Sequence, residues 1–221
     1  MKKTALISTL IVGVSILTVL SAYAQAFRQG SILLGVTEGS TTSAYSTSND
    51  ALPAHPSSTE NINGTRDPFT IEYGLTNRIG MGFTSGSDIY FVNPVAFYGS
   101  DISATTIKTV TTEFTLNLSY HFYVSKRNDL SFTGSVGTSS VGINGYTGDL
   151  KYQYLANGNI LRFGLHARHY FWRRLGVLAM LTTFSSTNSP EHVSGSTFGN
   201  NSSTAIKGTA AEFGLCLRLR H

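Results

Sequence analysis

Runs of about ten residues in which apolar and polar side chains alternate limit this chain to a sheet whose two faces meet different media. In Phe114-Thr115-Leu116-Asn117-Leu118-Ser119-Tyr120-His121-Phe122-Tyr123-Val124 the even positions are apolar or aromatic and the odd positions mostly polar. A β-strand sends successive side chains to opposite faces, so such a segment has one greasy face and one wet face. That alone suits any half-buried strand. Elsewhere the wet face carries charge: Arg162, His166, Arg168 and Tyr170 oppose Leu161, Phe163, Leu165 and Ala167, and Glu212 and Arg218 oppose Phe213, Leu215 and Leu217. A soluble barrel gathers its apolar faces in the middle. A closed sheet with arginine and glutamate inside requires hydrocarbon outside.

The start of the chain fits export. Lys2 and Lys3 precede a mostly apolar run from Ala5 to Leu20, followed by the small-residue pattern Ala22-Tyr23-Ala24, with Ala24-Gln25-Ala26 as a second option. This is the layout of a cleaved signal peptide, with the cut near Gln25 or Phe27. Residues 1–24 are assigned to that signal and 25–221 to a single domain. Ser8, Thr9, Gly13, Ser15 and Thr18 interrupt the run, which argues against a permanent anchor. No cysteine near the cut offers a lipid attachment point, and the sole cysteine, Cys216, cannot form an internal disulfide.

Beyond the signal no stretch approaches the roughly 18 apolar residues of a transmembrane helix. The mature chain therefore either dissolves outside the cytoplasm or spans a membrane as a closed barrel. Removing Lys2 and Lys3 leaves 14 basic against 12 acidic residues, a net +2 that is too mild to point to nucleic acid.

Eight strands are predicted, near residues 30–39, 69–76, 79 onward, 110–124, 130 onward, 160–171, 175–185 and 210–219. Short links follow the second, fourth and sixth, at Asn77-Arg78, Ser125 to Asp129 and Trp172-Arg173-Arg174. Long loops are expected over Ser40–Asp67, Ser87–Thr109, Asn144–Asn159 and Ser186–Thr204. The long loops then carry seven acids against three bases, and the short turns five bases against Asp129 alone. Two aromatic girdles are expected, with Tyr120, Phe122, Phe132, Phe171 and Trp172 at the short-turn end and Phe69, Tyr73, Phe83 and Phe184 at the other. The facing of the seventh strand is left open.

Short turns at one end, long loops at the other, the export signal and the hairpin Ile71-Glu72-Tyr73-Gly74-Leu75-Thr76-Asn77-Arg78-Ile79-Gly80 give the mature chain a resemblance. It resembles the small eight-stranded outer-membrane β-barrel proteins of the OmpA/OmpX type, in the porin-like superfamily. The chain ends Leu217-Arg218-Leu219-Arg220-His221, whereas many of those proteins end in an aromatic residue. The resemblance implies an all-β, antiparallel, up-and-down transmembrane barrel, integral to the bacterial outer membrane, with periplasmic turns and extracellular loops.

An eight-stranded barrel has an interior only wide enough for its own side chains. The inward set is read as Glu72, Glu113, His121, Tyr123, Arg162, His166, Arg168, Tyr170, Glu212 and Arg218. Buried charges are costly unless paired, so a lumen network of structural role is expected. Glu72 should pair with Arg168 across the lumen, and Arg162 with Glu113 or Glu212 at a higher level. The function expected is a structural or surface-interaction role with the lumen plugged. A narrow gated channel is one alternative and a lipid A-modifying enzyme another.

For catalysis the only local cluster is His192-Val193-Ser194 beside Glu191, in a long Ser/Gly/Asn-rich loop where nothing rigid would hold it. No enzyme activity is therefore expected. No cofactor or metal site is expected either: His166 and His169 fall on opposite strand faces, His55 is isolated, and there is no Cys-x-x-Cys. The partners expected are outer-membrane lipids and a surface protein or host ligand met by the loops. Ile89 to Tyr98, unusually apolar, would dock on the rim, extend a strand or form a sticky patch.

Overall fold

The computed structural model describes residues 26–49, 58–92, 107–147, 150–194 and 202–219. The proposed signal peptide and His55 lie outside them. Eight strands form one closed antiparallel barrel in sequence order: β1 (Ile32–Asn49), β2 (Ser58–Gly74), β3 (Ile79–Val92), β4 (Ile107–Val124), β5 (Asn128–Thr147), β6 (Leu150–Tyr170), β7 (Leu175–Ser194) and β8 (Ser202–Arg218). The seam between β1 and β8 runs from Leu33 opposite Arg218 to Asn49 opposite Ser202. Closure leaves no sheet edge to cap.

The short links at residues 75–78, 125–127 and 171–174 lie at one end of the barrel. In the first, Thr76 Oγ1 accepts hydrogen bonds from the backbone N–H groups of Arg78 and Ile79 at 3.1 and 2.9 Å, fixing the turn locally. At the opposite end the strands run well past the expected loop boundaries. β5 and β6 stay paired up to Thr147 opposite Leu150, so the span 144–159 is mostly wall rather than a long loop. β1 and β2 likewise pair through Thr47 opposite Ser58. Ile89 to Val92 belong to β3, and Glu191 to Ser194 to β7, where Glu191 sits at a bulge and His192 to Ser194 pair with β6. Residues 93–98 lie outside the described segments.

The apolar face of the wall changes sides along the strands. Toward the short turns it points outward: Leu116, Val136 and Leu215 are 63, 64 and 56 % exposed, and Leu161, Phe163, Leu165 and Phe213 share that orientation. Further along, the apolar residues move to the opposite parity and point inward. Val141 and Ile143 on β5, Tyr154 and Ile160 on β6, Ile206 on β8, Ile62 on β2 and Tyr45 on β1 are buried in one cluster. Outward positions at that level are mostly polar and exposed, such as Thr42, Asn63, Thr112, Thr138 and Asn157, with Leu155 and Phe91 as apolar exceptions. One barrel is thus greasy outside for part of its height and greasy inside for the remainder.

β7 turns Leu178, Met180, Thr182, Phe184, Ser186 and Asn188 inward and Leu181 outward. Phe184 is therefore a lumen residue and not part of a girdle. Tyr73, opposite Met81 just before the first turn, belongs to the short-turn end. A bulge between His121 and Tyr123 shifts the register, leaving Tyr123 half-buried and turning Val124 inside.

Candidate functional site

The lumen holds two charged layers. In the one nearer the short turns, Arg168 on β6 places Nη2 2.6 Å from Glu72 Oε2 on β2 and Nη1 2.8 Å from Asp129 Oδ2 on β5. His121 on β4 bridges the same two carboxylates, with Nε2 2.7 Å from Glu72 Oε1 and Nδ1 2.7 Å from Asp129 Oδ1. Both ring nitrogens face acceptors, so the ring donates from each only as the imidazolium. Glu72 fits between β2 and β3 because residue 80 is glycine; a Cβ there would overlap its Oε1.

Further up, Arg66 on β2 divides its three nitrogens among three strands. Nε donates to Glu212 Oε1 at 2.9 Å, Nη1 to Asp88 Oδ1 at 3.0 Å, and Nη2 to Glu113 Oε1. Arg162 on β6 meets Glu113 Oε2 from the other side, with Nε at 2.8 Å and Nη2 at 2.6 Å. It also lies 3.5 Å from Asp88 Oδ2, and Thr37 donates to Glu212 Oε2 at 3.0 Å. Three carboxylates share two guanidinium groups and a hydroxyl. Such charge-assisted bonds offset the desolvation of burying five ionised groups.

Neutral polar groups fill the gap between the layers. Asn117 donates to Thr84 Oγ1 at 2.7 Å, and Ser119 and Thr133 exchange a hydroxyl bond at 2.9 Å. His166 sits here, with Nδ1 3.4 Å from Thr133 Oγ1, in contact with hydroxyls rather than carboxylates.

Both ends of this column are covered. Above it, Arg162 lies over the Phe184 ring at 4.4 Å, at the floor of the buried apolar cluster. Below it, residues 26–31 cross the mouth of the barrel. Phe27 is fully buried, Ala26 N–H donates to Ser125 O at 2.6 Å, and Gly30 N–H donates to Gly74 O at 2.8 Å. Gly30 has φ of +79°, a left-handed turn that glycine adopts freely. Arg218 stands apart from both charged layers. It donates to the carbonyls of Ala26 at 2.8 Å and Arg173 at 2.5 Å and lies 4.7 Å from the Tyr170 ring centroid.

Of the residues singled out from the sequence, Glu72, His121 and Arg168 meet in the lower layer and Glu113, Arg162 and Glu212 in the upper. His166 and Arg218 lie outside them. Arg162 reaches Glu113 rather than Glu212. Local composition predicts loops at Arg66 and Asp88 and a turn at Asp129, yet all three point into the lumen and are buried. Parity was the signal for them: each falls an even number of residues from an inward neighbour, Glu72, Thr84 and Ser131 respectively. Among the described residues no group of His, Cys, Asp and Glu has the arrangement of a metal site. Glu191 is exposed and bonded to Asn157; the side chains of His192 and Ser194 lie outside the described set.

The architecture is that of outer-membrane β-barrels. The outer membrane protein OprG from Pseudomonas aeruginosa superposes with a TM-score of 0.55 at 11% identity, covering 90% of this chain and 100% of that one. The outer membrane protein AlkL, solved by solid-state NMR in DMPC lipid bilayers, gives 0.53 at 14% identity, covering 90% and 95%. No family model and no curated relative matches the sequence.

Proposed function

We propose that this chain is an integral β-barrel of the bacterial outer membrane with a structural or surface-interaction role, and that its lumen is a closed, salt-linked column without a conducting path. The observation that carries the reading is the change of apolar side along the wall. An outward apolar belt beside a charged interior suits hydrocarbon, and the conventional polarity above it suits an extension into water. That extension, polar outside and packed inside, is where a surface protein or host ligand would be met. A signal peptide over 1–24, with Gln25 as the first mature residue, accords with Ala26 and Phe27 being built into the barrel mouth.

The charged lumen residues of both layers bond to one another across the barrel rather than to a central water path, which favours a closed column over a gated channel. Two measurements test the reading. Membrane-extracted protein should run faster on SDS gels before boiling than after. In planar bilayers it should be silent. Steady unitary openings would overturn the closed lumen, and a single unshifted gel band would overturn the membrane barrel.

A further inference from the structure

At the short-turn end, six cations ring the barrel mouth: Arg28 in the N-terminal crossing segment, Arg78, Lys126 and Arg127, and Arg173 and Arg174 in the three turns. All but the half-buried Arg78 are exposed. The acid that the sequence places among them, Asp129, is fully buried in the lumen and bound to His121 and Arg168. None of the six forms an ion pair among the described residues, and the described residues of the rim contain no exposed acid. The charge of this end is therefore unbalanced and open to a ligand.

What borders the cations selects the ligand. Trp172, 68 % exposed, leads directly into Arg173-Arg174 and meets Phe171 edge-on at 5.1 Å; elsewhere on the rim Leu75 and Ile79 are exposed on either side of the Arg78 turn, and Leu219 is exposed just after β8. The positive rim is thus continuous with the outward apolar belt. A ligand seated here touches hydrocarbon-compatible surface on one side and guanidinium groups on the other. A purely hydrophilic polyanion would use only half of that surface. An amphiphile with an anionic head uses both.

We infer that the short-turn end is a binding collar for anionic phospholipid headgroups, gathering them from the adjacent leaflet around Trp172 and the turn cations. This rests on the membrane reading above and names the lipid class that reading leaves open.

Trp172 is the chain's single tryptophan, which gives a local probe. The folded full-length protein would be reconstituted in phosphatidylcholine containing a minority of phosphatidylglycerol, with bromine on the acyl chains of one lipid at a time. Brominated phosphatidylglycerol should quench Trp172 beyond its share of the bilayer. Each cation neutralised, first in R173Q/R174Q and then with K126Q/R127Q added, should lower that preference, by up to about fivefold per residue. Salt that shortens the Debye length to ~3 Å should abolish it. Boiling-dependent gel mobility checks that the variants are folded. Quenching that matches bulk composition in the wild type, or a preference that survives in the quadruple variant, overturns the collar. Quenching by neither brominated lipid overturns the membrane reading itself, and the collar with it.

Discussion

The rings of Phe27 and His121 lie face to face, with centroids 3.4 Å apart and planes 8° from parallel. The N-terminal segment thereby seals the lower charged layer from the barrel mouth. Phe27→Ala removes that cover and should cost about 3–5 kcal/mol, mostly as local release of residues 26–31. Amide exchange should quicken at Ala26 and Gly30 while the strands keep their protection. Unchanged exchange at both would mean that the backbone bonds and the Arg218 contact hold the segment without the ring.

Glu72→Ala leaves Arg168 with one carboxylate instead of two and takes one of the two acceptors from His121. Breaking a buried pair from one side costs about 3–5 kcal/mol. The temperature at which the fast-migrating gel form disappears should fall accordingly. Wild-type heat resistance in this variant would refute the pairing. Gly80→Ala should fall in the same direction, because its methyl group collides with the Glu72 carboxylate.

Arg66 addresses three carboxylates with three nitrogens, a fork that an ammonium cannot reproduce. Arg66→Lys should therefore lose about 2–3 kcal/mol despite keeping its charge. Arg66→Met should lose more, leaving Asp88 and Glu113 to share Arg162, and Glu212 with the Thr37 hydroxyl. Equal stability of the lysine variant and the wild type in urea titration would show that charge alone suffices.

The change of polarity along β4 gives a sharp contrast. Leu116 and Thr112 both point outward four residues apart and both are exposed. In lipid, Leu116→Arg should cost about 2–4 kcal/mol, whereas Thr112→Arg, above the belt, should stay within ~0.5 kcal/mol. If both variants unfold at the wild-type urea concentration in lipid vesicles, hydrocarbon does not surround Leu116.

Period-two alternation made the lower half of the wall legible in the sequence. Where Leu161, Phe163 and Leu165 alternate with Arg162 and Arg168, one face had to be lipid-like and the facing followed. It stopped being legible where the apolar residues change parity. Between Val136 and Val141 the greasy side moves inward across Gly137-Thr138-Ser139-Ser140, a stretch poor in strand formers. Arg66-Asp67-Pro68 and Ser85-Gly86-Ser87-Asp88 have the composition of turns, so the hub of the upper layer looks like loop in the sequence. Neighbouring strands supply the hydrogen bonds that keep these residues extended, a tertiary effect that local composition does not carry. The segment at Phe27 left no periodic trace, being a single buried ring on an irregular crossing.

The seam between β1 and β8 joins the first strand to the last along almost their whole length. No shorter nascent fragment possesses that partner, so the wall cannot shut until the final strand has been made and delivered. Contact order is accordingly high, and insertion should be slow relative to hairpin formation. Any truncation that removes β8 would expose two unpaired edges, on β1 and β7, that hydrocarbon could not satisfy, so the integrity of the whole wall depends on its last seventeen-residue strand.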